Sequence, residues 1–332
     1  MFQIINAWNF VFSEENFKNE ISEEFRGYNR KTFLTGNFSS AIYEKINPLS
    51  VSDISDTLCP VRRDLYFRKG KNRPKIKIDK TWGSIAGPLT EEFKFTIFNK
   101  FNKIKSSLSY LKINKMINAL SKDFKQKNEK SFKKLEKLKT IPEEEPDWLL
   151  KLLKYGGMYE LGHRLSHENL LKEKDNFMQI KNLEIKSPKI SFKPNPKQIG
   201  ISNPATPDFL IKKYKTVGDI KSGFGSFMEH YLLTCTGYAL ASENEKGNSE
   251  GDINFGIILF FPTRHSERFK PISFGQVYIF HISDALRDWF LKTRNAAYDI
   301  VLNDQIPDFP EVKIHCPYCQ CRKACMSEGL IL

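Results

Sequence analysis

Pro207-Asp208 precedes Gly218-Asp219-Ile220-Lys221-Ser222-Gly223, a grouping of carboxylates with an amine that suits work on a charged substrate. Side chains alternate along a strand, so Asp219 and Lys221 project from one face while Ile220 enters the core on the other. If 209–211 and 216–220 pair as a hairpin, Asp208 falls opposite or diagonal to Asp219. The two carboxylates then surround one hard cation, Mg²⁺ or Mn²⁺. Such a cation lowers the pKa of a bound water and offsets charge on a scissile phosphate, with Lys221 orienting the water or stabilising the transition state. This is phosphodiester hydrolysis chemistry. The plainer reading of Asp-x-Lys is a surface ion pair, which is common and contributes little. The upstream Pro-Asp, the Ser-Gly turn, the basic chain and a downstream helix carrying Tyr238 favour the nuclease reading.

A second chemical group is made of thiols. Cys316, Cys319, Cys321 and Cys325 cluster at the carboxyl end, and Cys59 lies far upstream. In a cytoplasmic protein, the compartment expected here, thiols stay reduced and such a cluster is a metal site rather than a disulfide set. Cys316-Pro-Tyr-Cys319 directs two thiolates to one point, Cys325 returns as a third, and Cys59 or Cys321 is the fourth. On chemistry alone zinc is favoured over an iron–sulfur cluster. Cys235, within an apolar helix, reads as a small buried residue. His163 and His167 with Glu160 form a weaker metal pattern that lacks the full His-Glu-x-x-His arrangement. His230, His265, His281 and His315 read as isolated surface or core residues.

The elements that position these groups follow from periodicity. Strand-like runs occupy 209–211, 216–220, 254–261 and 275–280, with a helix expected over 227–243 between the second and third. Leu286, Phe290, Thr293, Ala297 and Ile300 mark a last helix. Strand, helix, strand order argues a mixed α/β core. Upstream, Ser50 or Ser52 reads as a helix N-cap, Ile85, Leu89, Phe93 and Ile97 form a helical stripe, and Ile113, Ile117, Leu120 and Phe124 continue it. Another helix is expected over 148–171, and residues 1–50 carry no long periodic pattern.

Charge is distributed unevenly. The formal total is +13, yet 94–139 holds an excess of +11 and 62–80 one of +7, so the remainder is net acidic. Two basic segments are the electrostatic footprint of a polyanion binder, although a solvated lysine-rich surface is the bland alternative. At 332 residues with 40% hydrophobic side chains, the chain can bury a substantial core, which excludes disordered and fibrous classes. No apolar run reaches the roughly 18 residues of a membrane span, and the apolar start, 1–12, with no basic residue before Lys18 and with Glu14 and Glu15 after it, does not read as a signal peptide.

One distant cysteine, a central Pro-Asp…Asp-x-Lys and a terminal Cys-x2-Cys-x5-Cys, in this order, resemble the RecB-type iron–sulfur nucleases of the PD-(D/E)xK superfamily. Glu24-Phe-Arg-Gly27, Ser50-Val-Ser-Asp-Ile-Ser55 and Cys59-Pro-Val-Arg-Arg-Asp-Leu-Tyr66 narrow the resemblance. With Ile199-Gly-Ile-Ser202 and Thr236-Gly-Tyr-Ala-Leu240, they are similar to the archaeal type I-A branch of the CRISPR-associated RecB-like exonuclease. The resemblance implies Cys59, Cys316, Cys319 and Cys325 as ligands of a 4Fe–4S cluster, which reverses the preference for zinc and leaves Cys321 spare. It also implies Asp208 and Asp219 as metal-binding acids, Lys221 as catalytic lysine and Tyr238 as a further catalytic residue. Gly87-Pro-Leu-Thr-Glu91 matches the family's Gly-x-x-x-His motif with Glu91 in the histidine position, and Thr234 stands where the family has glutamine. Glu91, Asp208, Asp219 and Ile220 are then the expected Mn²⁺ or Mg²⁺ set.

The expected architecture is a restriction-endonuclease-like α/β core with a mixed sheet, a helical basic insertion and a carboxyl-terminal iron–sulfur region. An amino-terminal segment, 1–81, carries the first cluster cysteine. Residues 82–172 hold helices and the lysine-rich insertion, 173–305 the nuclease core together with the helix at 82–98, and 306–332 the iron–sulfur tail. The expected function is metal-dependent exonuclease trimming of DNA, at single-stranded ends, preparing spacer precursors beside the CRISPR integrase complex. The alternatives are a non-catalytic DNA-binding or scaffold subunit of the adaptation complex, a repair nuclease outside CRISPR, and a zinc-stabilised binding module.

Overall fold

The structure, a computed structural model, describes residues 3–6, 47–75, 110–138, 191–211, 215–223, 229–245, 253–262, 276–303, 305–313 and 315–329, with 84–86, 88–89, 92–93, 96 and 100. Five strands, β1 (Gln3–Asn6), β2 (Phe209–Ile211), β3 (Thr216–Gly223), β4 (Phe255–Pro262) and β5 (Gln276–His281), form one sheet in the order β1-β5-β4-β3-β2. Only β3 and β4 are parallel; the other three pairs are antiparallel. The apolar run of β4, Phe-Gly-Ile-Ile-Leu-Phe-Phe-Pro, suits a central strand covered on both faces. Gly256 is needed there, because a Cβ would come within 2.3 Å of the Phe280 ring on β5.

Parallel neighbours require a crossover, and a helix from Tyr231 to Glu243 supplies it. Its residues from Leu232 to Glu243 are all buried, as expected of a helix that is apolar on every side. Numbered in chain order, the helices are α1 (Val51–Ser55), α2 (Arg63–Lys69), α3 (Tyr110–Lys127), α4 (Glu129–Lys137), α5 (Pro196–Ile199), α6 (Tyr231–Glu243), α7 (Asp284–Leu302) and α8 (Arg322–Ser327). One side of α6 packs on β3 and β4, and the other meets α1 and α7. Gly237 permits that second approach, since a Cβ would lie 2.5 Å from Phe290 of α7 and 2.7 Å from Val51 of α1.

The segment before α1 is tied to the core through its backbone. Leu49 N–H donates to the Tyr298 hydroxyl at 3.1 Å, the Tyr298 hydroxyl donates to Gly200 O at 3.0 Å, and Ser202 N–H donates to Leu49 O at 2.8 Å. Arg294 adds a bond from Nη1 to Ile199 O at 2.8 Å. Beneath the sheet, Arg287 Nη2 sits 2.6 Å from Glu243 Oε1, both fully buried, and the same nitrogen donates to Ile253 O at 2.9 Å. A buried pair of this kind is safe only while its remaining donors are satisfied.

The strands and helices expected from the sequence over 209–302 are present, with boundaries shifted by a few residues. Ser50 is the N-cap of α1: its hydroxyl accepts from Asp53 N–H at 3.0 Å while the Asp53 carboxylate accepts from Ser50 N–H at 3.2 Å. The expected stripe in 82–101 is helical at its described positions, with Ile85, Leu89 and Phe93 buried. β1 lies within the stretch where no pattern was read; four residues are too short for periodicity to register, and pairing with β5 makes the strand. The expected helix over 148–171, with Glu160, His163 and His167, lies outside the described residues.

Candidate active site

The face of the sheet that carries the chemistry changes character along β3. Val217 is fully buried in the core against α6, Asp219 is 5% exposed at its side chain, and Lys221 is 25% exposed. These alternate residues share one side. The antiparallel register pairs Phe209 with Gly218, so the next position sets Asp208 opposite Asp219. Lys221 Nζ lies 2.8 Å from Asp219 Oδ2. That oxygen is buried, and the ammonium is what meets its charge. Burial works against the Lys221 charge, but the Asp219 and Asp208 carboxylates and the hydrogen bond to Asp219 outweigh it, raising its pKa to about 12. The two carboxylates thus favour the charged form of the amine.

The site runs from the middle of β3 towards its carboxyl end, alongside the parallel strand β4, the direction in which open α/β sheets place ligands. Tyr231, the first residue of α6, packs its ring 5.9 Å from Phe260, the β4 neighbour of Lys221, and His230 stands edge-on to Tyr231 at 4.6 Å. Burial lowers the His230 pKa; Asp56 opposes this, while Lys221, Arg62 and His315 reinforce it. His230 and His315, read from sequence as isolated, are therefore electrostatic neighbours, and His230 lies between β3 and the segment following α1. The available signal was positional: a histidine opening the helix that follows Asp-x-Lys must return to the strand ends.

Cys235, one turn along α6, is fully buried beneath the same carboxylates, donates to Ile257 O at 3.5 Å and has its pKa driven well up by burial. It is the small core residue its sequence context indicated. Tyr238 lies a turn further, buried in the main hydrophobic cluster. Tyr231 is a phenol with Lys221 and Asp219 among its charged neighbours. The Thr234 hydroxyl shares a 3.0 Å hydrogen bond with Ser55 of α1, so the residue in the family's glutamine position has a packing role. Of the expected metal set, Asp208 and Asp219 are brought together, Ile220 lies between Asp219 and Lys221 on β3, and Glu91 is outside the described residues. Two opposed carboxylates form an oxygen donor set of the kind that hard cations take, so the residues present fit Mg²⁺ or Mn²⁺.

The second constellation forms where α2 meets the carboxyl-terminal tail. Cys59 opens a turn in which Arg62 N–H donates to Cys59 O at 2.9 Å and Arg62 adopts the left-handed conformation at φ 57°. Arg62 Nη1 reaches back to Ile54 O at 3.0 Å, and Arg68 Nη1 binds the Asp53 carboxylate at 2.7 Å, locking α2 to α1. Against α2 pack a short 3₁₀ turn (Cys316–Tyr318) and α8, through Phe67, Cys321, Ala324 and Cys325, with Cys316 and Cys319 at the edge. The Arg63 guanidinium lies 4.1 Å over the Phe309 ring, donates to Pro307 O and hydrogen-bonds Cys325.

All six cysteines are free. Burial, and less strongly Asp64, raise the Cys59 thiol pKa, although the main-chain amides of Arg63 and Asp64 favour its thiolate; burial pushes Cys325 up to about 11. Cys321, the spare thiol of the sequence reading, is 1% exposed and donates to Asp64 O at 3.7 Å, as a packed core group does. Among the described residues no three His, Cys, Asp or Glu side chains are arranged to hold a metal ion, so the thiols are neighbours rather than a formed ligand set. Reduced, clustered thiols contributed by the Cys59 turn and the tail nevertheless fit a thiolate-bound metal group.

An acid and lysine pair on β3, beside the parallel strand β4 of an α/β sheet, is what the fold and the site present. Residues 190–328, which contain Asp208, Asp219, Lys221 and the cysteine tail, match the model of the family described as CRISPR-associated exonuclease Csa1. This similarity supports an exonuclease that works with DNA in a CRISPR system. No curated protein matches the chain. Among the described residues, no helix is long and apolar enough to cross a membrane.

Proposed function

We propose that this chain is a metal-dependent DNA exonuclease that trims single-stranded ends of spacer precursors during CRISPR adaptation, beside the integrase complex. The observation that carries the proposal is the β2–β3 register. It sets Asp208 opposite Asp219 with Lys221 on the same face, inside the segment that matches the exonuclease family. The fold reading, a restriction-endonuclease-like core, rests on the hairpin β2–β3, the crossover α6 and the parallel strand β4.

Asp208 and Asp219, with the main chain of Ile220 and with Glu91, are the groups that would hold Mg²⁺ or Mn²⁺, and the ion supplies Lewis-acid neutralisation of the scissile phosphate. Lys221 contributes a fixed cation beside the reacting phosphate, presented from a rigid strand so that little reorganisation accompanies the rise in negative charge. Residue by residue, the proposed ligands of a 4Fe–4S cluster are Cys59, Cys316, Cys319 and Cys325. Such a cluster would join the Cys59 turn to the tail and would stabilise the folded form by the free energy of metal binding.

The test is degradation of end-labelled single-stranded DNA by protein purified without oxygen, with Mn²⁺ or Mg²⁺, alongside Lys221→Ala. The expected result is cleavage by the wild type, a fall of at least about 10²-fold in the variant, and iron and sulfide in both. An intact, iron-loaded wild type that binds DNA without cutting it identifies a DNA-binding subunit of the adaptation machinery instead.

A further inference from the structure

The α3–α4 helix pair contributes nothing to either constellation above, yet it carries a large share of the chain's positive charge. Its apolar side is already used. Ile117, Phe124, Phe132 and Leu135 are buried, and Phe93, Phe124 and Phe132 form an edge-to-face ladder with centroids 5.1 and 6.4 Å apart. On the outside, Lys112, Lys115, Lys122, Lys127, Lys130, Lys133, Lys134 and Lys137 are exposed. Asp123, Glu129 and Glu136 are the acids of the two helices, and Glu129 is held by Lys133 at 2.6 Å. Helical spacing puts Lys112, Lys115 and Lys122 on one face of α3, and Lys130, Lys134 and Lys137 on one face of α4.

The chemistry of this face selects its partner. A protein interface needs an apolar centre, and the described side chains of the helix pair leave one large hydrophobic residue exposed, Leu111 at the start of α3. A single strand is held by aromatic platforms interleaved with cations, but Phe124 and Phe132 are both buried. What remains is a row of point charges on each of two helices about 27 and 13 Å long, suited to a rigid rod with one negative charge per roughly 1.7 Å. We propose that the α3–α4 helix pair is a docking surface for the phosphate backbone of double-stranded DNA, holding the duplex that flanks the end to be trimmed. The choice of DNA as the polyanion rests on the nuclease reading; the surface itself does not.

The experiment measures binding of a blunt duplex and of a short single-stranded oligonucleotide by fluorescence anisotropy across a salt series, with Ca²⁺ replacing the catalytic ion. Full-length wild type is compared with a variant carrying Lys→Gln at 112, 115, 122, 130, 134 and 137 and with its Lys→Arg counterpart. The six positions are exposed, and circular dichroism verifies the fold of each variant. For the Gln variant, the salt dependence of duplex binding should fall by up to about 5 in log–log slope, with at least a roughly tenfold loss of affinity at moderate salt. The Arg variant should match the wild type, and trimming of the short strand should be unchanged. Unaltered duplex binding by the Gln variant overturns the proposal, including the case in which that variant loses a co-purifying protein instead. Loss of short-strand trimming together with duplex affinity also overturns it, because the lysines then serve the catalytic site. A wild type that binds duplex through these lysines but never cleaves keeps the docking surface and removes the nuclease reading.

Discussion

The acid and lysine face of β3 and the cysteine corner are built in opposite ways. On β3 the spacing is dictated by strand pairing: once Phe209 pairs with Gly218 and Asp219 with Ile258, the positions of Asp208, Asp219 and Lys221 follow. At the corner, two short helices, a turn and a 3₁₀ segment are held by side-chain reach: Arg62 to Ile54, Arg68 to Asp53, and Arg63 to Phe309. The first site is preformed by backbone geometry. The second is an arrangement of free thiols that binding of a metal group would complete. Chemistry placed on a rigid strand should therefore respond to substitution in rate, and the corner should respond in stability and metal retention.

Four substitutions test that separation. The largest effect is expected for Asp219→Asn, which removes one opposed carboxylate while keeping its shape. Cleavage should fall at least about 10²-fold with iron content and the thermal midpoint nearly unchanged, and a parallel loss of iron would abolish the distinction. Next is Gly237→Ala, whose Cβ intrudes on Phe290 and Val51 at the seam that seats α1 beneath the corner. Overpacking there should cost about 1–3 kcal/mol in denaturant titration, with iron lost more readily than in the wild type. Arg63→Met should follow at about 0.5–2 kcal/mol through the lost Phe309 contact. Its tail should become protease-sensitive while the rate on single strands holds.

The smallest effect is a pH dependence confined to the sheet. Burial, and then Arg287, hold the His281 pKa down at about 4. The unfolded histidine titrates near 6.5, so between about pH 6.5 and 4 the unfolded chain binds the additional proton. Stability is full above that window and declines as pH falls through it. His281→Phe should lessen the drop in urea midpoint between pH 7 and pH 5, and an identical drop in both proteins would assign the acid sensitivity elsewhere.

Much of the central fold was legible because its signals are local. The runs at 209–211 and 254–261, the helix register of Leu286, Phe290 and Ala297, and the Ser50 cap are set by neighbours in sequence, and the structure has all of them. The pairing of Asp208 with Asp219 was legible because a hairpin leaves few registers. What escaped depends on contacts distant in the chain. β1 has no pattern of its own, the electrostatic interaction of His230 with His315 joins residues distant in the chain, and the aromatic ladder of the basic helix pair needs Phe93 from another segment. Glu91 belongs to neither account, since it lies outside the described residues.

The hydrogen bond from Leu49 to Tyr298 joins residues 249 positions apart, and β1 pairs with β5 across a comparable distance. On a ribosome adding roughly 5–20 residues per second, those partners emerge about 12–50 s apart. Throughout that interval β1 has no β5 edge to pair with and Leu49 has no Tyr298 hydroxyl to bind. The segment that packs on α2 through Cys321, Ala324 and Cys325 lies further along the chain still, so the cysteine corner closes only after the sheet and α7 have been made. Slow, late closure of this kind makes the nascent chain a natural client for holding chaperones.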